Sequence, residues 1–228
     1  MPRTARVAPG GMVFHVLNRG NDRRVIFEDG GDYEAFLQIL GETQERVAMR
    51  MLAYCLMPNH WHLLLWPKRD GELGAFLQRL TTTHVRRWHL HRHSVGRGHL
   101  YQGTYKSFPV QEDDHFYTAC RYVERNALRA NLVERAERWE WSSLAQRLGL
   151  QRCQEPPQLA AWPVSRPRAW LKLVNRPQTE RELAVIRQAV QRGQPFGDET
   201  WQHQTAQQLG LESTLRPRGR PRKLSPNP

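Results

Sequence analysis

Two histidines separated by a single residue are the first feature of this sequence that could do chemistry. His60 and His62 lie in an apolar run, 60–66, between Pro58 and Pro67. Such a run predicts a β-strand, and side chains alternate between the faces of a strand, so both imidazoles would emerge on one face. Two neutral imidazole nitrogens placed in this way can bind one metal ion. The pair by itself also fits packed or surface histidines.

A tyrosine and an asparagine form the second candidate group. The spacing predicts a helix from 114 to about 130, with Tyr122 and Asn126 one turn apart on one face. A phenol can act as a nucleophile in covalent catalysis, and an amide oxygen could complete a metal shell or orient a phosphate. The structural alternative is a tyrosine at the boundary of the core with a solvated hydroxyl.

Tyr117 is a rival nucleophile on the same predicted helix. It lies five residues before Tyr122, which corresponds to about 140° around the helix axis, so only one of the two can face the histidines. One turn after Tyr117 the chain has Arg121, which would repel a metal ion. One turn after Tyr122 it has Asn126, and we therefore choose Tyr122.

The composition narrows the class of partner. The 228 residues include 34 Lys and Arg against 22 Asp and Glu, a net charge of +12 with a pI near 10.4, which indicates a polyanion such as nucleic acid. No apolar run reaches the roughly 20 residues of a spanning helix, and no apolar stretch follows the N-terminus as in a secretory signal. Three scattered cysteines suit a reducing cytoplasm rather than a disulfide framework. We expect a cytoplasmic, nucleoid-associated protein.

The elements that must position the candidate residues follow from periodicity and turn signals. Strands are predicted at 13–17, 49–56, 60–66 and 105–111, and helices at 32–47, 71–91 and 114–130, with a short helix after Trp141-Ser142-Ser143. This β-α-β-β-α-β-α order predicts an α+β fold, a ferredoxin-like antiparallel sheet with packed helices.

The C-terminal third is predicted to be organised differently. We expect a catalytic domain over 1–148, a proline-rich linker over 149–168, and a helical, DNA-binding extension over 169–212, with Thr179 as a helix N-cap and a further helix over 199–209. A flexible basic tail over 213–228 would follow. Its Arg-Gly-Arg-Pro-Arg-Lys run, 218–223, resembles an AT-hook, in which arginines lie in a narrow minor groove; a purely electrostatic tail is the alternative.

Four blocks in order resemble the HUH-type single-tyrosine transposases. Leu-Met-Pro-Asn-His-Trp-His at 56–62 resembles that family's histidine motif, and Arg-Tyr-Val-Glu-Arg-Asn-Ala at 121–127 resembles its tyrosine block. The segment 15–21 and the Trp-Ser-Ser at 141–143 match its first strand and a later element. From the first block to the last, the matches span nearly all of residues 10–145. Ala127 departs from the proline that the family usually has there.

The resemblance implies the HUH nuclease fold and a role for each matched residue. His60 and His62 would be metal ligands, Tyr122 the nucleophile, and Asn126 a third metal-binding side chain. The family implies Mg²⁺ or Mn²⁺, whereas histidine ligation alone would fit Mn²⁺ or Zn²⁺ better. The region 162–210 resembles REP-associated tyrosine transposases, which act on palindromic repeats dispersed in bacterial genomes.

The function expected from this resemblance is a metal-dependent single-stranded DNA endonuclease and strand transferase. It would act at hairpins or palindromic repeats through a covalent 5′-phosphotyrosine, with no small-molecule substrate and no membrane, as a monomer or a homodimer. Replication initiators and relaxases are disfavoured, since no histidine motif follows the tyrosine and no paired tyrosines or helicase occur. The alternative is a catalytically silent DNA-binding regulator. Candidate DNA-binding residues are Arg19, Arg23, Arg24, Arg86, Arg87, Lys106, Arg129, Arg218, Arg220 and Arg222.

Overall fold

A four-stranded antiparallel sheet organises the chain, in the spatial order β2-β3-β1-β4. The computed structural model describes residues 7–151 and 153–216. The strands are β1 Val13–Arg19, β2 Arg50–Met57, β3 His60–Trp66 and β4 Lys106–Val110. The helices are α1 Gly30–Arg46, α2 Glu72–His91, α3 Asp114–Glu124, α4 Asn126–Arg129, α5 Ser143–Arg147, α6 Trp170–Asn175, α7 Glu180–Arg192, α8 Glu199–Leu209 and α9 Glu212–Leu215. The predicted α+β fold with an antiparallel sheet is confirmed.

The two faces of the sheet pack against different helices. Trp61, Leu63 and Leu65 of β3 belong to a core shared with α1 and α2. The opposite face, with Cys55 of β2 and Leu64 of β3, packs against α3 and the helices that follow it. The alternation along β3 therefore separates the apolar Trp61 face from the face that carries both candidate histidines.

A hydrogen-bond network fixes the first core beside the sheet. The hydroxyl of Tyr101 lies 2.9 Å from the indole nitrogen of Trp61, which donates to it, and 2.6 Å from Nδ1 of His84. All three side chains are buried. A buried polar group needs such partners because water cannot reach it, so this network ties α2 and the loop before β4 to strand β3.

The C-terminal helices belong to the second core. Trp170 of α6 is buried, and its indole nitrogen donates to the fully buried carboxyl of Glu124 at 2.7 Å. Ser143 donates to the other oxygen of this carboxyl at 2.7 Å. Arg121 of α3 also contacts the C-terminal part of the chain, because its guanidinium donates to the carbonyl oxygens of Arg176 and Pro177. The extension is thus packed on α3, while the domain boundaries at 148, 168 and 212 stay a prediction.

Both edge strands are covered by segments from this C-terminal part. Leu159 forms a parallel bridge with Met51 on β2, and Phe196 forms one with Val110 on β4. Open sheet edges present unpaired backbone groups that invite intermolecular pairing. These short contacts satisfy part of both edges and hold the proline-rich segment against the sheet.

The predicted helix over 114–130 is wrong in one respect, because it is broken. α3 ends at Glu124, Arg125 takes φ −87° and ψ 0°, and α4 begins at Asn126. The break coincides with a tertiary tether, since the Arg125 guanidinium donates to the carbonyl oxygens of Val174 and Asn175 at 2.8 and 2.6 Å. Helical periodicity contains no signal for such a tether. The hydrogen bonds from Arg125 N to the Arg121 carbonyl and from Arg129 N to the Arg125 carbonyl nevertheless continue the i to i−4 pattern across the break.

Candidate active site

The histidine pair begins strand β3 on the face that packs against α3. The ring centroids of His60 and His62 are 5.1 Å apart, with His62 buried and His60 partly exposed. Burial, together with nearby cationic groups such as Arg19 and Arg129, lowers the pKa of His60 to about 4. Burial and the neighbouring His15 hold the pKa of His62 well below its ordinary value. Both imidazoles are therefore neutral at pH 7, as metal ligation requires.

A third histidine, His15 of β1, joins the pair. Its Nε2 lies 2.8 Å from Nδ1 of His62, and burial lowers the pKa of His15 to about 3. If His62 presents the Nε2 lone pair to a ligand, its Nδ1 must carry the proton and donate it to His15. His15 then keeps its own proton on Nδ1, an atom without a hydrogen-bond partner among the described residues.

Sequence reasoning did not select His15 as a site residue, although a histidine inside an apolar strand was a signal. The β1–β3 register pairs His15 with Leu64 and Leu17 with His62. His15 is therefore the diagonal neighbour of His62 on the same sheet face. That relation depends on the pairing of strands 47 positions apart in the chain, which local spacing does not contain.

Tyr122 faces the histidines and Tyr117 does not. The ring centroid of Tyr122 is 5.8 Å from that of His62 and 6.1 Å from that of His15, both edge to face. The hydroxyl of Tyr117 instead donates to the carbonyl oxygen of Ser165, and its ring lies beside Trp162 and Trp170. The structure thus brings together His60, His62 and the tyrosine chosen from helical geometry.

Arg129 of α4 lies directly over the candidate nucleophile. Its guanidinium carbon is 4.0 Å from the ring centroid of Tyr122, and the group donates to the Tyr122 carbonyl and to Oδ1 of Asn126. Burial lowers the pKa of this guanidinium, yet no carboxylate pairs with it among the residues described. A partly buried cation without a carboxylate is a suitable partner for a phosphate.

Asn126 lies beside His60, but its side-chain oxygen points to Arg129 and not to the histidine. Its Oδ1 accepts from Arg129 Nη2 at 2.6 Å, while its Nδ2 lies 3.4 Å from Nε2 of His60. In this orientation the group nearest the histidine is a donor, which cannot ligate a metal. Two neutral histidines fit a divalent ion, and Asn126 would fit only after its amide turns. No cluster of three or more His, Cys, Asp or Glu suited to a metal occurs within 7–151 and 153–216.

The other candidate DNA-binding residues are dispersed. Arg19 and Lys106 line one cleft beside the sheet, and Arg86 lines a neighbouring one. Arg23 and Arg24 are exposed in the turn after β1. Arg87 is engaged in an ion pair with Glu42 at 2.7 Å, which makes it a weaker candidate. Arg218, Arg220 and Arg222, with the AT-hook-like run, lie outside the described residues.

Fold and site together define an α+β protein in which a strand-borne histidine pair faces a helical tyrosine. A family model described as IS200-like transposase matches residues 10–126, from just before β1 to Asn126. The chain therefore belongs to the IS200-like transposase family, and it is an enzyme of the transposase class. The match includes His15, both site histidines and Tyr122.

One solved structure agrees with this chain at the level of the fold. The structure of a REP-associated tyrosine transposase bound to a REP hairpin has a TM-score of 0.52 and 13% identity, over 71% of this chain and 100% of that one. A candidate transposase from Deinococcus radiodurans R1 has 20% identity over 49% of this chain and 88% of that one, with a TM-score of 0.38, too low to bear on the fold. A comparison with curated proteins found no match. Within the described ranges, none of the helices has the length and apolar character needed to cross a membrane.

Proposed function

We propose that this transposase cuts and rejoins single-stranded DNA, with Tyr122 as the nucleophile. The observation that carries the proposal is the position of the Tyr122 ring, 5.8 Å from the ring of His62 and 4.0 Å beneath the guanidinium of Arg129. A phenol between a histidine pair that could hold a metal ion and a partly buried cation is suited to attack on a phosphate.

The cleavage step exchanges one phosphate ester for another. The Tyr122 oxygen forms a bond to phosphorus while the bond from phosphorus to the 3′ oxygen breaks. The phenol proton is lost to solvent, and the released 3′ oxygen takes up a proton to become a free hydroxyl. The 5′-phosphotyrosine keeps the energy of the broken ester, so a 3′ hydroxyl can later attack it and restore a DNA strand.

His60 and His62 would hold a divalent ion, Mg²⁺ or Mn²⁺, with Asn126 as a third ligand. When bound, such an ion would supply Lewis-acid polarisation of a non-bridging phosphate oxygen. His15 would keep the proton of His62 on Nδ1, as the 2.8 Å contact between them allows. Arg129 would hold the phosphate over the Tyr122 ring.

The proposed substrate is a DNA hairpin or a palindromic repeat. A net charge of +12 supports a polyanionic substrate, and the structure of similar fold was bound to a REP hairpin. We further propose membership of the REP-associated subfamily, a cytoplasmic, nucleoid-associated location, and DNA contacts by the extension over 169–212 and the tail over 213–228. The enzyme would act as a monomer or as a homodimer.

Covalent capture tests the nucleophile. The protein is incubated with a library of single-stranded DNA hairpins and Mn²⁺, and protein–DNA adducts are separated under denaturing conditions. The wild type and Tyr117→Phe should form adducts, because the Tyr117 hydroxyl points to Ser165. Tyr122→Phe should form none while still binding the hairpin. Adduct formation by Tyr122→Phe would refute the assignment.

A catalytically silent DNA-binding regulator is the second candidate. The orientation of Asn126 favours it, since the amide nitrogen and not the oxygen lies nearest His60. A silent binder would retain hairpin affinity in EDTA and form no adduct with any divalent ion. Adduct formation that requires Mn²⁺ and is abolished by EDTA excludes it.

A further inference from the structure

A cleft next to the candidate active site is lined by parts of the chain that are far apart in sequence. It has a volume of about 550 Å³ and lies between the end of β1, the start of β4 and helix α7. Arg19, Lys106 and Arg187 contribute one cation from each element, and Asn18, Gln102 and Gln191 add polar groups. The cleft therefore joins the sheet to the C-terminal extension.

The charge of this cleft has a single sign. None of its lining residues in the described part of the chain is acidic. Arg187 has one carboxylate nearby, Glu180 at 4.0 Å, and this pair is exposed with side-chain exposures of 54% and 91%. An ion pair that long and that exposed holds the arginine weakly, so Arg187 can exchange it for a phosphate.

The cleft lies next to the candidate active site through the pairing of β1 with β3. Arg19 is paired with His60 across the β1–β3 register, and its charge contributes to the lowered pKa of His60. On the other side, Arg187 is near enough to Arg129 for the like charges to lower the pKa of Arg129. Arg129 covers the Tyr122 ring. The cations of the cleft thus flank the histidines and the tyrosine.

A second cleft continues the first along the sheet. It has a volume of about 830 Å³ and is bordered by α2, including Arg86. The two clefts share Asn18 and the segment 102–104. The two clefts together form a path with cations at both ends and amide side chains between them. Such a path suits the flexible backbone of single-stranded DNA better than a rigid duplex.

We infer that the cleft between β1, β4 and α7 binds the sugar-phosphate backbone of single-stranded DNA next to the scissile phosphate, with Arg19, Lys106 and Arg187 as its phosphate contacts. This inference rests on the proposed function, because it takes the Tyr122 site as the point of cleavage. It assigns α7 a direct part in substrate binding in addition to its packing on the second core.

Salt-dependent binding to unstructured DNA tests the assignment. The probe is a fluorescent oligonucleotide of about 20 thymidines, and the protein carries Tyr122→Phe so that no adduct forms. Each lost phosphate contact should reduce the slope of log affinity against log salt by about 0.7. Arg187→Gln should reduce the slope by that amount and weaken binding about fivefold. The double variant Arg187→Gln, Lys106→Gln should reduce the slope by about 1.4.

Arg181→Gln is the matched control, because it removes the same charge from an exposed position of α7 that does not line the cleft. It should leave the slope unchanged, and a DNA duplex of the same length should bind Arg187→Gln as well as the parent protein. Equal losses from Arg181→Gln and Arg187→Gln, equal losses on duplex and single strand, or an unchanged slope would overturn the inference. If the Arg187 effect holds but the wild type forms no adduct with any hairpin, the proposed function fails, whereas the binding of single-stranded DNA by the cleft stands.

Discussion

The guanidinium of Arg129 stacks on the ring of Tyr122 at 4.0 Å and donates to the backbone carbonyl of the same residue. The ring is therefore held in place by a residue seven positions later in the chain. A cation at this distance can also stabilise negative charge that develops on a phosphate under attack.

We expect Arg129→Gln to slow adduct formation by about a hundredfold, the usual cost of removing one group that stabilises transition-state charge. Hairpin affinity should fall much less, because other cations remain. Single-turnover cleavage of a hairpin substrate measures the rate. Arg138→Gln removes an exposed charge away from the site and is the control. A cleavage rate unchanged in a folded Arg129→Gln protein would contradict the role.

His15 should matter for metal binding without touching the metal. His15→Phe removes the acceptor that orients His62, and loss of such an outer partner lowers metal affinity about 10- to 100-fold. Calorimetric titration with Mn²⁺ measures this directly, independently of cleavage. His91→Phe, at an exposed position on α2, should leave the affinity unchanged. Equal affinities for wild type and His15→Phe would show that His62 needs no partner.

Trp170 of the extension should stabilise the fold through its hydrogen bond to Glu124 of α3. Trp170→Phe leaves the fully buried Glu124 carboxyl without one of its two donors, and an unsatisfied buried group costs about 1–3 kcal/mol. The free energy of unfolding, measured with urea, should fall by that amount. Trp201→Phe makes the same exchange on α8, at a half-buried position, and should cost less. A Trp170→Phe protein as stable as wild type would contradict the prediction, since the Glu124 carboxyl would then not depend on the indole hydrogen bond.

Acid should destabilise the fold through its buried histidines. Burial lowers the pKa of His84 to about 3, so between this value and about 6.5 the unfolded chain binds a proton that the folded chain does not. The contribution of neutral His84 to the free energy of unfolding is therefore fully present above about pH 6.5 and is lost as the pH falls toward 3. From pH 7.5 to 5.5 we expect His84 to contribute about 1 kcal/mol to the loss.

Urea unfolding of wild type and His84→Phe at the two pH values measures this contribution. The variant loses the contact with Tyr101 at both pH values, so only the difference between the two pH values is diagnostic. That difference should shrink in His84→Phe and stay unchanged in His203→Phe, which alters an exposed histidine on α8. Equal pH dependence in all three proteins would contradict the assignment.

The strands and long helices were predictable because each shows its own periodicity. β3 begins and ends where the sequence predicted, and α8 spans the predicted 199–209. α6 was not predicted, because its six residues are too few to show a period. The break at Arg125 also escaped prediction, since it coincides with contacts to carbonyls about 50 residues away.

The sequence by itself determined the relations between residues that are close along the chain. Alternation along one strand puts His60 and His62 on one face, and helical geometry allows only one of Tyr117 and Tyr122 to face them. Only the tertiary structure decided which residues complete the site. His15 reaches His62 through strand register, and Arg187 reaches the cleft beside β1 and β4 because α7 packs on the second core. These contacts depend on burial and pairing between distant segments, and no local spacing encodes them.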